Sequence, residues 1–293
     1  MKNYLIISNI NRDINYRMSD RIVEYIEKLG GKTIFYGASF YEKIMTASTL
    51  NQELADILDK NIIDCAIVLG GDGTIIHSAI ELIRFDIPVL GVNLGTLGFL
   101  AEAEESNLFE SIDKLFNNDY SCDKRMMLEG NIYKNNSKLE IHSLNDIVIT
   151  RKGFSRIISL NIFVNDQFVD NFRGDGVIIS TPTGSTGYNL SAGGPVVSPN
   201  EELMIITPIC AHSLSAKSIV VSKNDVIKVV VCKSKKTQEI EAIVTFDGDK
   251  VVELDIEDEI VIKKAIYNTK LIKINKSSFY EILRTKLNHN ENN

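Results

Sequence analysis

The chain has 293 residues, a net charge of −7 and a pI of about 5.3, with 44% hydrophobic and 24% charged residues. This composition is ordinary for a globular protein, and the length suffices for two domains. The acidic balance argues against broad binding to nucleic acid or membrane surfaces. The N-terminus turns polar too early for a secretory signal, and no stretch reaches about 20 apolar residues. We therefore expect a cytoplasmic protein with four reduced cysteines, Cys65, Cys122, Cys210 and Cys232.

Apolar runs of strand length alternate with helical periodicity through the first 116 residues. Continuous apolar strands separated by helices are typical of a parallel sheet with helices on both faces. Ligands bind at the carboxyl ends of the strands in such sheets. In chain order, the predicted elements are strand 4–8, helix 13–29, strand 32–36, helix 50–58, strand 65–69, helix 75–84, strand 88–93 and helix 108–116.

From about residue 120 the pattern changes to short alternating runs, separated by turn residues such as Asn165-Asp166 and Asp247-Gly248. This pattern predicts a β-rich, mostly antiparallel second domain. Residues 277–287 have the apolar spacing of an amphipathic helix, which we expect to pack back on the first domain. The expected divisions are 1–118, 119–268 and, for a C-terminal strand, a helix and a disordered tail, 269–293.

The segment GGDGT, Gly70 to Thr74, lies where strand 65–69 ends, and NLGTLGF, residues 93–99, lies at the end of the fourth strand. Glycines let backbone N–H groups approach a phosphate, and a helix N-terminus adds roughly half a positive charge. An acid repels phosphate, so Asp72 either holds a divalent cation or accepts a proton from an attacking hydroxyl. Thr74 is a candidate helix cap. The plainer alternative is a tight turn in which Asp72 caps the helix.

Other patterns for nucleotide or acyl chemistry are absent from the sequence. No G-x-x-x-x-G-K-[ST] loop occurs, and Ile76 replaces the third glycine of G-x-G-x-x-G. Thr183 replaces the first glycine of a G-x-S-x-G elbow. The leading mechanism is therefore phosphoryl transfer through a glycine loop that is not of the Walker type.

Four more segments follow GGDGT in order: LNDIVI (144–149), FRGDGVIISTPTGSTGYNLSAGGPVVSP (172–199), TPICAHSLS (207–215) and FDGD (246–249). GGDGT alone is shared with lipid kinases, and a close relative occurs in phosphofructokinases. Together the five segments closely resemble the NAD kinase family. The resemblance implies a phosphofructokinase- or NAD-kinase-like α/β domain, followed by a β-rich domain that binds the dinucleotide. It also implies ATP and a divalent metal, Mg²⁺ being favoured, and phosphorylation of the adenosine ribose 2′-hydroxyl of NAD.

The implied partners are NAD and ATP, and the family forms homodimers or homotetramers through the β-rich domain. Two alternatives stay open: a kinase of another hydroxyl substrate, a lipid or a nucleoside, that shares the loop, and a dinucleotide sensor without activity. LNDIVI together with the long Gly/Ser/Thr segment is not expected in a lipid kinase. In a sensor, an acid beside the phosphates would weaken binding.

By resemblance, Asp72 is the general base on the 2′-hydroxyl. Gly71 and Gly73 would keep the loop open to phosphates, and His77 would be a basic residue near the helix start. Asn145 and Asp146 match an Asn-Glu pair that grips both ribose hydroxyls, with a shorter acid in this chain. No residue is assigned as a metal ligand by the resemblance.

Within FRGDG, the resemblance directs Arg173 to phosphate and Asp175 to an amino or hydroxyl group of the dinucleotide, near a subunit contact. Arg156 is a further binding candidate. Asp249 stands where the family carries Gln, and His212 is assigned to the pocket wall.

The adenine pocket is assigned to TGYNLS, which matches TAYSLS in the family, with Tyr188 as the natural ring to stack on the base. The TPTGST residues upstream could hold phosphate. The assigned residues are Thr186, Gly187, Tyr188, Asn189, Leu190 and Ser191.

Overall fold

A computed structural model describes residues 1–38, 52–95, 98–134, 137–153, 157–213, 216–233, 242–275 and 278–289. The chain divides into two compact units, Met1–Lys124 with Thr269–Asn293, and Arg125–Asn268. Arg156 and the tail 290–293 lie outside the described residues, as do the expected helix starts Leu50 and Ser277. None of the helices in the described ranges has the length and apolarity to cross a membrane.

The first unit is an α/β domain whose buried strands are covered by helices. Its elements are β1 (Asn3–Asn9), α1 (Arg17–Lys28), β2 (Lys32–Ala38), α2 (Gln52–Lys60), β3 (Cys65–Gly70), α3 (Asp72–Leu82), β4 (Val89–Asn93), β5 (Ala103–Glu104) and α4 (Leu108–Phe116). The strands β2, β1, β3 and β4 lie in that order and run parallel. All residues of β3 and β4 are buried, as expected for strands with helices on both faces. The predicted parallel α/β domain is confirmed.

The strand register brings three carboxyl ends to one edge of this sheet. Ser8 of β1 is paired with Leu69 of β3, and Gly70 is paired with Asn93 at the end of β4. The Asn9 amide, one residue beyond Ser8, therefore reaches α3, where it donates to the Thr74 hydroxyl at 3.1 Å. GGDGT and the start of NLGTLGF lie along this edge.

The first helix begins later than the periodicity predicts. The expected helix 13–29 is interrupted because Asn15 and Tyr16 both have left-handed φ angles of 55°, and α1 begins at Arg17. The side chain of Asp13 takes over the start of the helix. It accepts the N–H groups of Met18 at 2.8 Å and of Ser19 at 3.0 Å, which have no partner within the helix.

Asp13 is a buried carboxylate with four donors. The hydroxyls of Ser8 and Ser19 bind it in addition to the two N–H groups. Burial acts to raise the pKa of Asp13, but the hydrogen bonds from Ser19, Met18 and Ser8 outweigh it and hold the pKa below its ordinary value. The ionised form therefore stabilises the start of α1.

The third helix begins inside GGDGT. We expected it at 75–84, but α3 begins at Asp72 and ends at Leu82, followed by a 3₁₀ turn, Ile83–Phe85. Gly71 is the N-cap and no side chain caps the helix, so the predictions that Thr74 or Asp72 is the cap are wrong. Thr74 lies within the first turn and accepts the hydrogen bond from Asn9 instead.

The second unit consists of two antiparallel sheets. Its strands and one short helix are β6 (Ser121–Lys134), β7 (Ser137–Ser143), β8 (Asp146–Arg151), β9 (Ile158–Val164), β10 (Gln167–Gly174), β11 (Gly176–Ser180), α5 (Tyr188–Ser191), β12 (Leu203–Ile209), β13 (Ile219–Ser222), β14 (Ile227–Cys232), β15 (Ala242–Phe246), β16 (Lys250–Leu254) and β17 (Glu259–Lys273). One sheet has the order β13-β12-β11-β8-β15-β16, and the other contains β10-β9-β14-β17. Buried residues of both sheets, such as Leu160, Val177 and Val229, share one core. The predicted β-rich domain is confirmed.

The end of the chain returns to the first unit. Leu271 of β17 is paired in parallel with Val89 of β4. The last helix, α6 (Phe279–His289), follows, and the ring of Phe279 lies 6.5 Å from that of Phe99. The C-terminal helix therefore packs on the first unit, as the sequence predicted.

Asp13→Asn should lower the free energy of unfolding at pH 7 by about 1–3 kcal/mol, because buried donors lose a charged acceptor. The stabilisation is present above the unfolded-state pKa and is lost as the pH falls through the lower folded pKa, so the deficit should shrink below a pH of about 4. Urea unfolding at both pH values measures this. Asp20→Asn, an exposed acid on the same helix, is the control, and an equal loss in both variants would contradict the role of Asp13.

Candidate active site

The carboxylate of Asp72 lies in the first turn of α3, at the carboxyl edge of the parallel sheet. Its Oδ2 accepts the N–H of Phe99 at 2.8 Å, and its Oδ1 accepts the N–H of Leu100 at 3.2 Å. A carboxylate has about four acceptor positions, so these bonds orient the group and leave about two positions open. Asp72 is a fixed acid that can still accept a proton or hold a cation.

The glycines around Asp72 differ in what surrounds them. A Cβ on Gly98 would overlap with the carboxylate of Asp72, and a Cβ on Gly70 would overlap with the side chain of Thr74. At Gly73 nothing lies within 4 Å of the Cβ position. Close packing therefore requires two of these glycines, while Gly73 leaves open space at the helix N-terminus.

Arg12 lies beside the glycine loop, although the sequence pattern does not single it out. Its guanidinium carbon is 3.6 Å from the Cβ position of Gly71, and the guanidinium also approaches Gly95. Arg12, Gly95 and Glu104 line a cavity of about 540 Å³. The signal in the sequence was a basic residue just after the carboxyl end of β1, where ligands of parallel sheets bind.

His77 lies one turn after Gly73 on α3 and is half-buried. Residues four apart on a helix share a face, so His77 and Gly73 are neighbours on the helix surface. The positive partial charge of the helix N-terminus is strongest in the first turn of α3, which contains Gly73. Gly71, Asp72 and Gly73 are brought together by the fold, with His77 one turn away.

The bend between β7 and β8 carries Asn145 and Asp146. Three consecutive N–H groups, those of Leu144, Asn145 and Asp146, donate to the carboxylate of Asp247 at 2.7, 2.7 and 3.0 Å. From the other side, the N–H of Thr181 donates to the carbonyl of Asn145 at 2.9 Å. These hydrogen bonds fix the backbone of Asn145 and Asp146, and with it the positions of their Cα atoms.

Asp146 is an acid with only 6% of its surface exposed. Burial, and then the neighbouring Asp247 carboxylate, raise the pKa of Asp146 to about 7. Burial raises the pKa of Asp247 as well, while the N–H donors of the bend act against that rise. Near neutral pH, Asp146 therefore changes between a form that donates a hydrogen bond and a form that only accepts one.

The hairpin between β15 and β16 turns at Asp247 and Gly248, whose φ angles of 50° and 72° are left-handed. The N–H of Asp249 donates to the carbonyl of Phe246 at 3.0 Å and closes the turn. The expected Asp-Gly hairpin is confirmed. It places Asp249 two residues after the acid that holds the bend.

Asp175 is paired with Arg151, a residue that the sequence pattern did not single out. The Nε–H of Arg151 donates to Asp175 at 2.7 Å. This bond holds the pKa of Asp175 below its ordinary value, so the acid is ionised near neutral pH. Arg173 is exposed, and its carbonyl accepts the N–H of His212 at 2.8 Å. A cation and an acid are thus paired next to the end of β10, the strand that carries Arg173.

Tyr188 begins α5 and has 47% of its surface exposed. Burial raises the pKa of its phenol, and the nearby Cys210, Asp175 and Asp146 add to the rise. Asn145-Asp146, Asp175 and Tyr188 are therefore neighbours, although they are far apart in the sequence. A half-exposed ring beside polar groups is suited to stacking on a base.

Asn189, by contrast, is fully buried. Its amide donates to the carbonyls of Ser185 and Pro195, and its oxygen accepts the hydroxyl of Thr207 at 2.7 Å. The side chain therefore holds the loop together. Accessible surface remains on its neighbours Thr186, Gly187, Leu190 and Ser191.

Three ligand-type side chains also converge on the β6–β7 hairpin. The ligand atoms of Glu129, Glu140 and His142 lie within 4.8 Å of one another. Glu129, however, accepts the amide of Asn131 at 2.9 Å and pairs with the ammonium of Lys263 at 3.1 Å. Because a lysine already balances this buried acid, the group is an ion-pair network of the hairpin.

An acid fixed at an open helix N-terminus, on the ligand-binding edge of a parallel sheet, suits the class of phosphotransferases. Family models narrow this class. The ATP-NAD kinase N-terminal domain matches residues 5–120, and the ATP-NAD kinase C-terminal domain matches residues 144–274. The chain belongs to the NAD kinase family, and the resemblance seen in the sequence is confirmed.

Similar proteins match over nearly the whole chain. The NAD kinase of Lachnoclostridium phytofermentans is 49% identical over 291 residues, which cover 98% of this chain and 99% of the relative. That of Agathobacter rectalis is 42% identical, with the same coverage. An NAD kinase from Archaeoglobus fulgidus in complex with ATP has a TM-score of 0.75 at 26% identity and 98% coverage of both chains. Yeast NADH kinase complexed with NADH has a TM-score of 0.82 at 24% identity, covers 98% of this chain and 88% of its own, and supports the fold alone.

Gly98→Ala should displace the Asp72 carboxylate, because the added methyl group overlaps with it. We expect kcat to fall by at least about tenfold, since a small misplacement of a reacting group is costly. Steady-state kinetics and a melting curve measure the effect. The matched variant Gly73→Ala should keep or raise the melting temperature, because its methyl group meets nothing and alanine favours the helix. Wild-type kcat in Gly98→Ala would contradict the close packing of these two residues.

Proposed function

We propose that the chain transfers the γ-phosphoryl group of ATP to the adenosine ribose 2′-hydroxyl of NAD and so forms NADP. As a member of the NAD kinase family it is a phosphotransferase. The observation that carries the residue assignment is the carboxylate of Asp72, held by two backbone N–H groups with acceptor positions to spare. This geometry supports the assignment of Asp72 as the proton acceptor.

In the proposed reaction, Asp72 accepts the proton of the 2′-hydroxyl. The hydroxyl oxygen forms a bond to the γ-phosphorus, the bond from that phosphorus to the β,γ-bridging oxygen breaks, and ADP leaves. Positioning and charge stabilisation dominate such transfers. Here the N–H groups at Gly71 and Gly73 and the guanidinium of Arg12 would stabilise the phosphate oxygens.

A divalent metal fits the groups of the first unit. Mg²⁺ prefers oxygen ligands and keeps several waters, so one or two carboxylates and the phosphates of ATP suffice to hold it. Asp72 offers an oxygen with an open acceptor position beside the loop. The metal would supply charge that balances the phosphates, and we propose Mg²⁺ as the ion.

In the second unit we propose a nucleoside site. The amide of Asn145 and the carboxyl of Asp146 would bind the two ribose hydroxyls, since an amide both donates and accepts. Tyr188 would stack on the adenine, and Asp175 would accept from an amino or hydroxyl group. Thr186, Gly187, Leu190 and Ser191 would line the pocket, and His77, Arg156, Arg173 and Asp249 remain further binding candidates.

We further propose a cytoplasmic homodimer or homotetramer, as the family resemblance implies. The four cysteines are free thiols, which suits a reducing compartment. Sedimentation velocity would measure the oligomeric state. We expect no nucleic-acid or membrane partner for this acidic chain.

Family membership disfavours the alternative of a kinase for a lipid or another nucleoside. The deciding experiment incubates the pure protein with ATP, Mg²⁺ and NAD and measures NADP with an NADP-specific dehydrogenase. Parallel reactions replace NAD with diacylglycerol or adenosine. NADP formation supports the proposal, whereas phosphate transfer to another acceptor alone would replace it with the alternative.

Asp72→Asn should keep the fold and most of the NAD affinity but lower kcat at least ~10²-fold, because the proton acceptor is lost. Asp86→Asn, at the opposite end of the same helix region, is the control and should retain wild-type kcat. Activity of Asp72→Asn within a few-fold of the wild type would remove Asp72 from the role of base.

Tyr188→Ala should weaken NAD binding by roughly 1–3 kcal/mol, through lost stacking and lost buried area. Tyr188→Phe keeps the ring and should lose no more than one hydrogen bond, about 1 kcal/mol. Calorimetry with NAD and a melting curve on both variants measure the two quantities. An unaltered Kd in folded Tyr188→Ala would reduce the ring to a packing role.

A further inference from the structure

Among the described residues of the second unit, Asp247 is an acid with several backbone donors that the proposed reaction does not use. Its two carboxylate oxygens accept three consecutive N–H groups, from Leu144 to Asp146, across a sequence separation of about a hundred residues. Hydrogen bonds to an ionised acceptor are roughly twice as strong as neutral ones. The N–H of Asp247 also donates to the carbonyl of Asp146 at 3.0 Å, so the contact runs in both directions.

The bend needs this acceptor because the pairing of β8 with β15 ends there. Strands β8 and β15 are paired from Arg151 and Ala242 as far as Ile147 and Phe246. Beyond that pair, Asp146 is still paired with Ser180 of β11, but the N–H groups of residues 144–146 turn to the carboxylate of Asp247. Leu144 is fully buried, and a buried N–H without an acceptor is costly. Asp247, the next residue after Phe246, continues the hydrogen bonding with its side chain.

Turn geometry alone does not explain an acid at this position. The left-handed φ angles of Asp247 and Gly248 suit a tight hairpin turn, for which Asn-Gly is as well suited as Asp-Gly. Asparagine has one accepting oxygen in place of two and carries no charge. The three N–H donors, however, occupy both oxygens of the carboxylate. The three donors therefore explain why an aspartate stands at position 247, whereas the turn geometry alone does not.

We propose that Asp247 is a positioning residue of the nucleotide site, which fixes Asn145 and Asp146 against the loop that leads to Tyr188. That loop holds the opposite side of the bend, because Thr181 donates to the carbonyls of Asn145 and Leu144. The ribose-binding pair is thus clamped between a hairpin turn and the loop before the adenine pocket. This inference rests on the proposed function, since it assigns the bend to NAD.

Charge is the second contribution of Asp247. The groups around the Asp146 carboxyl are Asp247 from the hairpin turn and Tyr188 from α5, while Asp249 acts on Asp247. Removing the negative charge of Asp247 favours ionised Asp146 and lowers its pKa. If Asp146 makes NAD binding depend on pH, the midpoint of that dependence is near 7 in the wild type. Without the charge of Asp247 this midpoint must move to lower pH.

The test uses Asp247→Asn, which keeps the turn and removes the charge and one acceptor. Asp166→Asn is the matched control, since Asp166 also has a left-handed φ in a hairpin turn and is paired with Lys228 at the surface. We expect KM for NAD to rise at least about tenfold, equivalent to a loss of about 1.4 kcal/mol. KM for ATP should stay within about threefold, and the pH midpoint of NAD binding should fall. The control should match the wild type in all three quantities.

Three outcomes would overturn the inference: an unchanged KM for NAD, an unchanged pH midpoint, or equal rises in both KM values together with a lower melting temperature. If wild-type protein forms no NADP, the proposed function fails instead, whatever the variants do. If Asp247→Asn does not fold, amide exchange on the wild type replaces it. In the wild type the amides of residues 144–146 should then be protected from exchange near neutral pH and lose this protection together as acid protonates Asp247, and rapid exchange of these amides near neutral pH would refute the role.

Discussion

The register of three buried parallel strands determines where the groups at the carboxyl edge of the first unit's sheet lie. Pairing of Gly70 with Asn93, and of Ser8 with Leu69, ends the strands side by side. The first turn of α3 follows directly, and its N–H groups face the same edge. A slip in register would separate the helix start from NLGTLGF and remove both donors to Asp72. Because these strands are buried on both faces, the hydrophobic core opposes such a slip.

Two acids are held by hydrogen bonds from backbone N–H groups, with different consequences. Asp72 accepts two backbone N–H groups and Asp247 accepts three. With acceptor positions left over, Asp72 is oriented and still available to a substrate. Asp247 has three of its about four acceptor positions occupied within the protein, and in the proposed site it acts on a ligand through the bend that it holds and through its charge near Asp146. In the proposed site, the number of backbone donors thus distinguishes the acid assigned as the base from the acid assigned to positioning.

The sequence was sufficient for the two-part fold and for the segments that meet at each site. Period and apolar runs indicate buried strands, and turn residues such as Asp247-Gly248 identify hairpins. The first residues of the helices were harder to predict from the sequence. Two residues with left-handed φ angles delay the start of α1, and α3 begins at Asp72 itself. Arg12 and Arg151 were missed for another reason. Their partners are distant in sequence, and only tertiary contacts bring a cation to Gly71 or to Asp175.

The glycines around Asp72 are required for two separate reasons. Gly70 and Gly98 are needed because side chains already fill the space around them, while Gly73 costs helix stability and touches nothing. In a descendant that had lost catalysis, packing alone would still preserve Gly70 and Gly98, but nothing in the fold would preserve Gly73. Under the proposed function, retention of Gly73, rather than of the whole GGDGT segment, is therefore the informative sign that a descendant still binds phosphate.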